Sequence, residues 1–223
     1  MFRLVHLERG IMKYSTVIFD LDGTLLYTLE DLKNAVNYAF QQKGYGEHTV
    51  PEMRRFFGNG VRVAMQKAEP GATAEDLDEM VKLFRGYYNE HCLDNTRPYD
   101  GVLPLIRELK DKGIKIGIVS NKVDSAVKEL AARFFPEISV AIGESEGVRR
   151  KPAPDTVYQA MRELQADPKE TVYIGDSEVD LATARAAGLP CISVLWGFRE
   201  KELLVSEGAD CFVDSPEEIP ALL

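Results

Sequence analysis

The sequence has few of the residues that build disulfide frameworks and histidine metal sites. Its 223 residues include only three cysteines and three histidines. The cysteines are Cys92, Cys191 and Cys211, which are far apart and form no Cys-x-x-Cys pair. This usage indicates reduced thiols in a cytoplasmic protein rather than a disulfide framework. The histidines show no spacing typical of a metal site.

The chain also lacks a long apolar segment and an excess of positive charge. No apolar stretch is long enough to span a membrane. The first ten residues include Arg3 and Glu8, so they contain no uninterrupted apolar core of a signal peptide. With 27 Lys and Arg against 36 Asp and Glu, the formal net charge is −9. This charge argues against nucleic acids and anionic membrane surfaces as main partners.

Strand-like and helix-like segments alternate through most of the chain. Strands are predicted at residues 16–19, 114–119, 138–142, 171–174, 191–194 and 211–213. Helices are predicted at residues 102–112, 123–134, 155–164 and 179–187. Such alternation favours a parallel sheet with right-handed crossovers, in which ligands bind beyond the carboxyl ends of the strands. We therefore predict an α/β fold with a Rossmann-like parallel sheet core flanked by helices.

Residues 28–91 interrupt this alternation with a pattern that is helical throughout. Apolar residues recur at helical spacing, and Thr73 followed by Asp76 indicates a helix start. Glycine and proline breaks divide the segment into roughly four helices. We predict a helical insert at residues 28–96, a core formed by residues 15–27 and 97–223, and an N-terminal extension at residues 1–14. The links around residues 26–28 and 96–99 are natural hinges.

Acidic residues directly follow two of the predicted strands. Asp20 ends the first strand, and Asp22 with Gly23-Thr24 comes at once after it. Asp176 and Asp180 follow the fourth strand. Two carboxylates at a strand tip are suited to hold a divalent cation and to attack a phosphate whose charge is screened. The alternative is that Asp22-Gly23 makes a turn and that Asp176 and Asp180 only begin a helix.

Four motifs occur in order along the chain. They are Asp20-Leu21-Asp22-Gly23-Thr24, Ser120-Asn121, Lys151 and Gly175-Asp176-x-x-x-Asp180. Three of them directly follow strand-like runs. The series resembles the four motifs of the haloacid dehalogenase superfamily of phosphohydrolases, and the resemblance spans almost the whole chain from Ser15 onward.

The resemblance implies roles in catalysis and phosphate binding. Asp20 would be the nucleophile that forms an aspartyl-phosphate. Asp22 would protonate the leaving oxygen and then activate the hydrolytic water. Thr24 would orient the loop, or it is a simple turn residue. Ser120 and the amide of Asn121 would donate hydrogen bonds to phosphate oxygens.

The resemblance also implies a bound Mg²⁺, for which hard oxygen ligands are suited. Its expected ligands are the carboxylate of Asp20, the backbone carbonyl of Asp22 and the carboxylate of Asp176. Asp180 would act through water or as a supporting residue. Lys151 would neutralise charge on the phosphate and on Asp20 during the reaction.

The helical insert resembles the small cap that closes over the substrate in many of these enzymes. Residues 57–62, 88–102 and 196–198 resemble segments of phosphoglycolate phosphatases in particular. We therefore predict Mg²⁺-dependent hydrolysis of a small phosphate monoester, with 2-phosphoglycolate as the first candidate. The carboxylate of that substrate would point toward the cap, where Asn59, the Gly60 amide and Arg62 are the candidate ligands. The alternative is a solvated Arg62 and an Asn59 that only caps a helix.

Other activities stay open at this point. The same resemblance covers pyrophosphatases, broad sugar-phosphate phosphatases, phosphoglucomutase-like phosphotransferases and, if catalysis is lost, a non-catalytic phosphate-binding protein. We expect a small-molecule phosphate ester as the partner, and neither nucleic acid nor membrane. The oligomeric state is open between a monomer and a homodimer.

Overall fold

The computed structural model describes residues 13–223. The predicted N-terminal extension lies outside the described residues except for Lys13 and Tyr14. Tyr14 is buried in the core, and its backbone amide donates to the carbonyl of Leu223 at 3.0 Å. Tyr14 is therefore part of the packed core, although we predicted it to belong to the extension.

Within residues 13–223 there are eight strands and nine α-helices. The strands are β1 (Thr16–Phe19), β2 (Leu26–Tyr27), β3 (Arg97–Pro98), β4 (Lys115–Val123), β5 (Val140–Glu144), β6 (Thr171–Gly175), β7 (Cys191–Val194) and β8 (Phe212–Val213). The helices are α1 (Leu29–Gln42), α2 (Val50–Phe56), α3 (Val61–Ala68), α4 (Ala74–His91), α5 (Val102–Asp111), α6 (Asp124–Phe134), α7 (Asp155–Leu164), α8 (Glu178–Ala187) and α9 (Lys201–Ser206).

Six of these strands form one parallel sheet in the order β5-β4-β1-β6-β7-β8. Helices α5 and α6 cover one face of the sheet and α7 and α8 cover the other, so the sheet is buried on both sides. Strand β1 shows the consequence, because all four of its residues are buried and Val17 and Ile18 face opposite layers. A strand covered on both faces has no polar side, which is why its sequence is a continuous apolar run. The α/β fold with a parallel sheet is as predicted.

Strand β4 is longer than the sequence indicated. It was predicted to end at residue 119, but it continues to Val123 with an irregular register after Val119. An irregularity of this kind bends a strand and redirects its side chains. Here it lies at the carboxyl end of the sheet, where Ser120 and Asn121 emerge.

Helices α1 to α4 enclose a hydrophobic cluster of their own, separate from the two layers of the sheet. Helix α4 begins as predicted, with the Thr73 side chain accepting from the backbone amide of Asp76. Phe198, from the loop after β7, also packs into this cluster. A residue of the core side therefore anchors the helical region.

The two chain segments that connect the core with the helical region contact each other. Strands β2 and β3 pair antiparallel, a feature that the sequence did not indicate. Asp31, in the first turn of α1, is buried and accepts hydrogen bonds from the backbone amides and side chains of Asn95 and Thr96. A carboxylate with this many donors is well compensated for its burial, and it joins the outgoing and returning chain.

Candidate active site

The motif residues meet at the carboxyl end of the central strands. Asp20 follows β1, Asp176 follows β6, and Ser120 lies in β4 between them and β5. Lys151 comes from the loop between β5 and α7. All four side chains are buried, although they are polar or charged. Buried polar groups need partners. Asp20 and Lys151 pair with each other, whereas Asp176 and Ser120 accept from neighbouring residues.

Three carboxylates and one ammonium form the centre of the site. Asp20, Asp176 and Asp180 each offer an oxygen within 4.8 Å of the others. The ammonium of Lys151 lies 2.7 Å from Asp20 Oδ1 and 2.7 Å from Asp180 Oδ1. With all groups ionised, this cluster has two negative charges in excess. A divalent cation would balance that excess.

The pKa values of these groups reflect the same excess of negative charge. Burial and the carboxylate of Asp180 raise the pKa of Asp20 well above its ordinary value, and they raise the pKa of Asp176 to about 7. Burial alone would also raise the pKa of Asp180, but Lys151 and the hydrogen bonds to Asp180 hold it below its ordinary value. Burial alone would lower the pKa of Lys151, yet Asp180 and Asp20 raise it. The ammonium therefore stays charged beside Asp20.

The residues at Asp176 fit a small, hard cation. The Asp176 carboxylate accepts from the Thr24 hydroxyl at 3.3 Å and from the Phe198 backbone amide at 2.6 Å, which fixes its orientation. The backbone passes close to it at two glycines. A Cβ at Gly23, where φ is +89°, would lie 2.5 Å from Asp176 Oδ2, and a Cβ at Gly197 would overlap the same side chain. The carboxylate oxygens of Asp20 and Asp176 are the ligand type that Mg²⁺ prefers.

Asp180 has little capacity left for a direct metal contact. Its Oδ1 accepts from Lys151 and, at 2.9 Å, from the Tyr173 hydroxyl. Its Oδ2 accepts from the backbone amide and hydroxyl of Ser177. Asp180 also forms a capping box with Ser177 at the start of α8. The structure thus brings Asp180 into the cluster mainly as the residue that positions Lys151.

Asp22 faces the cavity from the loop after β1, and a second lysine accompanies it. Its Oδ1 lies 3.2 Å from the ammonium of Lys122, whose side chain is only 7% exposed. The Lys122 ammonium also donates to the Tyr88 hydroxyl of α4 at 2.9 Å. Burial alone would lower the pKa of Lys122, but Asp22 and Tyr88 raise it, so the ammonium stays charged. Burial likewise raises the pKa of Tyr88 to about 12.

Ser120 and Asn121 have different surroundings. The Ser120 hydroxyl accepts from the Lys122 backbone amide at 3.2 Å and lines the cavity. The side-chain amide of Asn121 instead donates to the carbonyls of Gly58, at 3.3 Å, and Lys151, at 3.0 Å. In this structure the Asn121 side chain joins the loop after α2 to the loop that carries Lys151.

One cavity joins these residues to the helical region. Its volume is about 120 Å³, well below the roughly 300–1,000 Å³ of pockets for drug-sized ligands. From the core it is lined by Asp20, Asp22, Ser120, Asn121, Lys122, Val123, Ala126, Glu144, Lys151, Asp176, Ser177 and Phe198. From the helical region it is lined by Leu32, Phe57, Gly58, Gly60, Val61, Phe84, Arg85, Tyr88 and Asn89.

The structure does not bring all predicted cap residues to this cavity. Gly60 lines it, but Asn59 and Arg62 do not. The Arg62 guanidinium pairs with Asp78 of α4 at 2.6 Å, and both side chains are largely exposed. Val61 faces the cavity, and the next residue of a helix points about 100° away from it. The prediction that Arg62 meets the substrate carboxylate is therefore corrected: this arginine pairs on the outer face.

Sequence reasoning missed four residues that matter to the site. They are Tyr88, Lys122, Tyr173 and Arg199. The available signal for Lys122 was its place directly after Ser120-Asn121 at a strand end. Tyr173 looks like an ordinary core residue of β6, and nothing in the sequence indicates that its hydroxyl meets Lys151 and Asp180.

Arg199 attaches the helical region to the start of α8. It is buried, and its guanidinium pairs with Glu178 at 2.6 Å. It also donates to the carbonyls of Arg54 and Phe57, at 2.9 and 2.6 Å, which lie in the last turn of α2 and just after it. Carbonyls at a helix end lack partners within the helix, so the arginine satisfies groups that need donors.

Comparison with known proteins agrees with this geometry. The profile of the haloacid dehalogenase-like hydrolases matches residues 17–194. A phosphoglycolate phosphatase from Cereibacter sphaeroides is 34% identical over 82% of this chain and 86% of its own length. A pyrophosphatase PpaX from Bacillus mycoides is 28% identical over 95% of this chain and 98% of its own length.

Solved structures show the same similarity. A candidate phosphoglycolate phosphatase from Lactobacillus delbrueckii subsp. bulgaricus is 39% identical, with a TM-score of 0.92, 95% of this chain covered and 99% of that one. In residues 13–223, none of the helices has both the length and the apolar composition that crossing a membrane requires.

Proposed function

The chain belongs to the haloacid dehalogenase-like hydrolase family and is a phosphoric monoester hydrolase. On that premise we propose that it hydrolyses 2-phosphoglycolate through an aspartyl-phosphate on Asp20, with Mg²⁺ bound. The observation that carries the proposal is the buried contact of 2.7 Å between the Lys151 ammonium and Asp20, at the wall of a small cavity that Asp22 also lines.

The first half of the reaction transfers the phosphoryl group to Asp20. A carboxylate oxygen of Asp20 attacks phosphorus, the bond from phosphorus to the ester oxygen breaks, and that oxygen takes a proton from Asp22. Lys151 offsets the charge on Asp20 and on the transferring group, and the Ser120 hydroxyl donates to a phosphate oxygen.

The second half releases phosphate. Water attacks the phosphorus of the aspartyl-phosphate, the carboxylate of Asp22 accepts its proton, and the bond to Asp20 breaks. Asp20 returns as a carboxylate and Asp22 as an acid, so each turnover consumes one water molecule. Asp180 holds Lys151 in place throughout through its contact of 2.7 Å.

The residues that would hold Mg²⁺ are Asp20 and Asp176, through their carboxylates, and Asp22, through its backbone carbonyl. When bound, the ion supplies positive charge that screens the phosphate from the carboxylates. The excess of two negative charges among Asp20, Asp176, Asp180 and Lys151 supports this assignment.

The cavity and the relatives support a small substrate with a second anionic group. A volume of about 120 Å³ suits a molecule of a few non-hydrogen atoms. Relatives named phosphoglycolate phosphatase favour 2-phosphoglycolate. Pyrophosphate is the second candidate, because relatives named pyrophosphatase align over nearly the whole chain.

Phosphate release from several esters tests the proposal. The assay compares 2-phosphoglycolate, pyrophosphate, a hexose phosphate and p-nitrophenyl phosphate at one Mg²⁺ concentration and again after chelation. We expect the highest kcat/KM for 2-phosphoglycolate, loss of activity on chelation, and recovery with added Mg²⁺.

Two other results would contradict the proposed activity. Interconversion of hexose phosphates with little phosphate release would indicate a phosphotransferase. Binding of phosphate esters without turnover of any of them would indicate a non-catalytic phosphate-binding protein.

A further inference from the structure

We propose that Lys122 is the residue that recognises an anionic group on the leaving part of the substrate, next to the ester oxygen. For 2-phosphoglycolate this group is the carboxylate, and for pyrophosphate it is the second phosphoryl group. The inference rests on the proposed function and adds the residue that selects the substrate.

The first argument is the position of the Lys122 ammonium. It lies 3.2 Å from Asp22, the residue that is to protonate the leaving oxygen, and it lines the cavity. In 2-phosphoglycolate one methylene carbon separates the ester oxygen from the carboxylate. A group that binds this carboxylate must therefore lie beside the group that protonates the oxygen, and Lys122 does.

The second argument compares Lys122 with the other basic side chains that line the cavity. Among the described residues that line the cavity, three are basic: Arg85, Lys122 and Lys151. Lys151 contacts Asp20 and Asp180 on the phosphate side. Arg85 is largely exposed on the cap helix α4. Lys122 alone combines a nearly buried side chain with a contact to Asp22.

The third argument is the capacity of the ammonium for another partner. A lysine has three N–H donors. The Tyr88 hydroxyl accepts from one of them. Asp22 pairs with the charge of the ammonium at 3.2 Å. The ammonium therefore keeps donor capacity for a ligand in the cavity. Charge-assisted hydrogen bonds are the strong ones, so an anion is the ligand that this donor favours.

The test measures selectivity rather than activity alone. Wild type and Lys122→Met are assayed with 2-phosphoglycolate, pyrophosphate and ethyl phosphate. Ethyl phosphate has the same two-carbon leaving group without the carboxylate. We expect Lys122→Met to lower kcat/KM for 2-phosphoglycolate on the order of 10- to 100-fold more than for ethyl phosphate. A preferential loss with pyrophosphate instead would support the same anion site with a phosphoryl group as its occupant.

Inhibition by the product gives a second measurement of the same site. Glycolate, the product, should inhibit the wild type competitively, whereas ethanol at the same concentration should not. Lys122→Met should lose the inhibition by glycolate, and Lys122→Arg should recover part of it. The matched control is Lys112→Met, because Lys112 also pairs with a carboxylate, Glu108 at 2.7 Å, but on the exposed face of α5.

Equal losses for 2-phosphoglycolate and ethyl phosphate would overturn the inference, because Lys122 would then only orient Asp22. Unchanged glycolate inhibition in a folded Lys122→Met protein would overturn it as well. Neither result touches the proposed function, which the wild-type assays decide. Folding of each variant is checked by its thermal unfolding midpoint.

Discussion

The two sides of the active site are built in different ways. On the core side, charged side chains contact each other directly, as Lys151 does with Asp20 and Asp180. On the cap side, several contacts to the core are made by backbone carbonyls, such as those of Phe57 and Gly58, beside side chains such as Tyr88. Changes at Asp20, Lys151 and Asp180 should therefore affect the reaction of every substrate, whereas Lys122, also on the core side, should affect selectivity. Changes on the cap side should affect stability and selectivity.

The two sides of the site also differ in which side chains can be substituted without loss of a contact. A backbone carbonyl is present whatever the side chain is, so Phe57 can be replaced without removing the acceptor for Arg199. Gly58 is different, because its φ is +128° and a Cβ there would lie 2.9 Å from Arg199 Nη2. The carboxylates and lysine of the core have no such freedom, because each one compensates the burial of another.

The largest expected effect is the loss of the nucleophile. Asp20→Asn keeps the shape of the side chain but removes the carboxylate that attacks phosphorus. Turnover of all phosphate esters should fall on the order of 10⁴-fold or more. The measurement is phosphate release at saturating substrate. Asp111→Asn, at an exposed position at the end of α5, is the matched control and should retain wild-type turnover.

The next largest effect is expected at Asp22, and it distinguishes the role of this carboxylate from that of Asp20. Asp22→Asn should slow phosphoryl transfer from an alkyl phosphate by about 10²–10⁴-fold, the range for general acid–base catalysis. p-Nitrophenyl phosphate should lose less in that step, because its leaving group needs no proton. Single-turnover rates of phosphoenzyme formation make the comparison. Equal losses with both substrates would contradict the assigned role.

Among the contacts that hold the cap on the core, the largest change in stability is expected at Arg199. Arg199→Met leaves Glu178 without its partner and two carbonyls without donors. The free energy of unfolding should fall by about 2–3 kcal/mol. This is less than for a fully buried ion pair, because Glu178 is partly exposed. Arg62→Met is the control, since its exposed pair with Asp78 should contribute about 0–1 kcal/mol. Urea unfolding measures both, and equal losses would show that Arg199 does not dock the cap.

The last prediction concerns pH and the metal. The pKa of Asp176 is about 7 in the metal-free protein, against an ordinary value of 3.8. A carboxyl with a raised pKa binds its proton more tightly in the folded chain, so stability is lost as pH rises from about 4 to about 7. Thermal unfolding without metal should show this decline, and Asp176→Asn should reduce it. Added Mg²⁺ should raise the midpoint at pH 7 in the wild type and less in the variant.

Several of these features could be predicted because local patterns decide them. The continuous apolar run of β1 predicts a strand buried on both faces, and Thr73 with Asp76 predicts the start of α4. In a parallel sheet the carboxyl ends of neighbouring strands lie at one edge. A residue that follows such a strand, as Asp20 and Asp176 do, can therefore be placed near that edge without knowing any distance.

Other features depend on contacts between distant segments. Tyr173 has no local pattern that marks it, and the place of Lys122 after Ser120-Asn121 does not show which carboxylate it meets. Both acquire their roles because β6 and β4 bring them to Lys151 and Asp22. The error at Arg62 has the same origin. Local sequence places an arginine near a helix start, but only the packing of α3 against α4 decides which face of the helix meets the cavity.

The sequence alone therefore determined the parallel α/β core, the helical insert and the order of the acidic motifs, because these follow from periodicity and from residues next to each other in the chain. The tertiary structure decided which cation accompanies which carboxylate. That choice depends on the burial and mutual distance of side chains such as Lys122 and Asp22, which are 100 positions apart in the sequence and 3.2 Å apart in the fold.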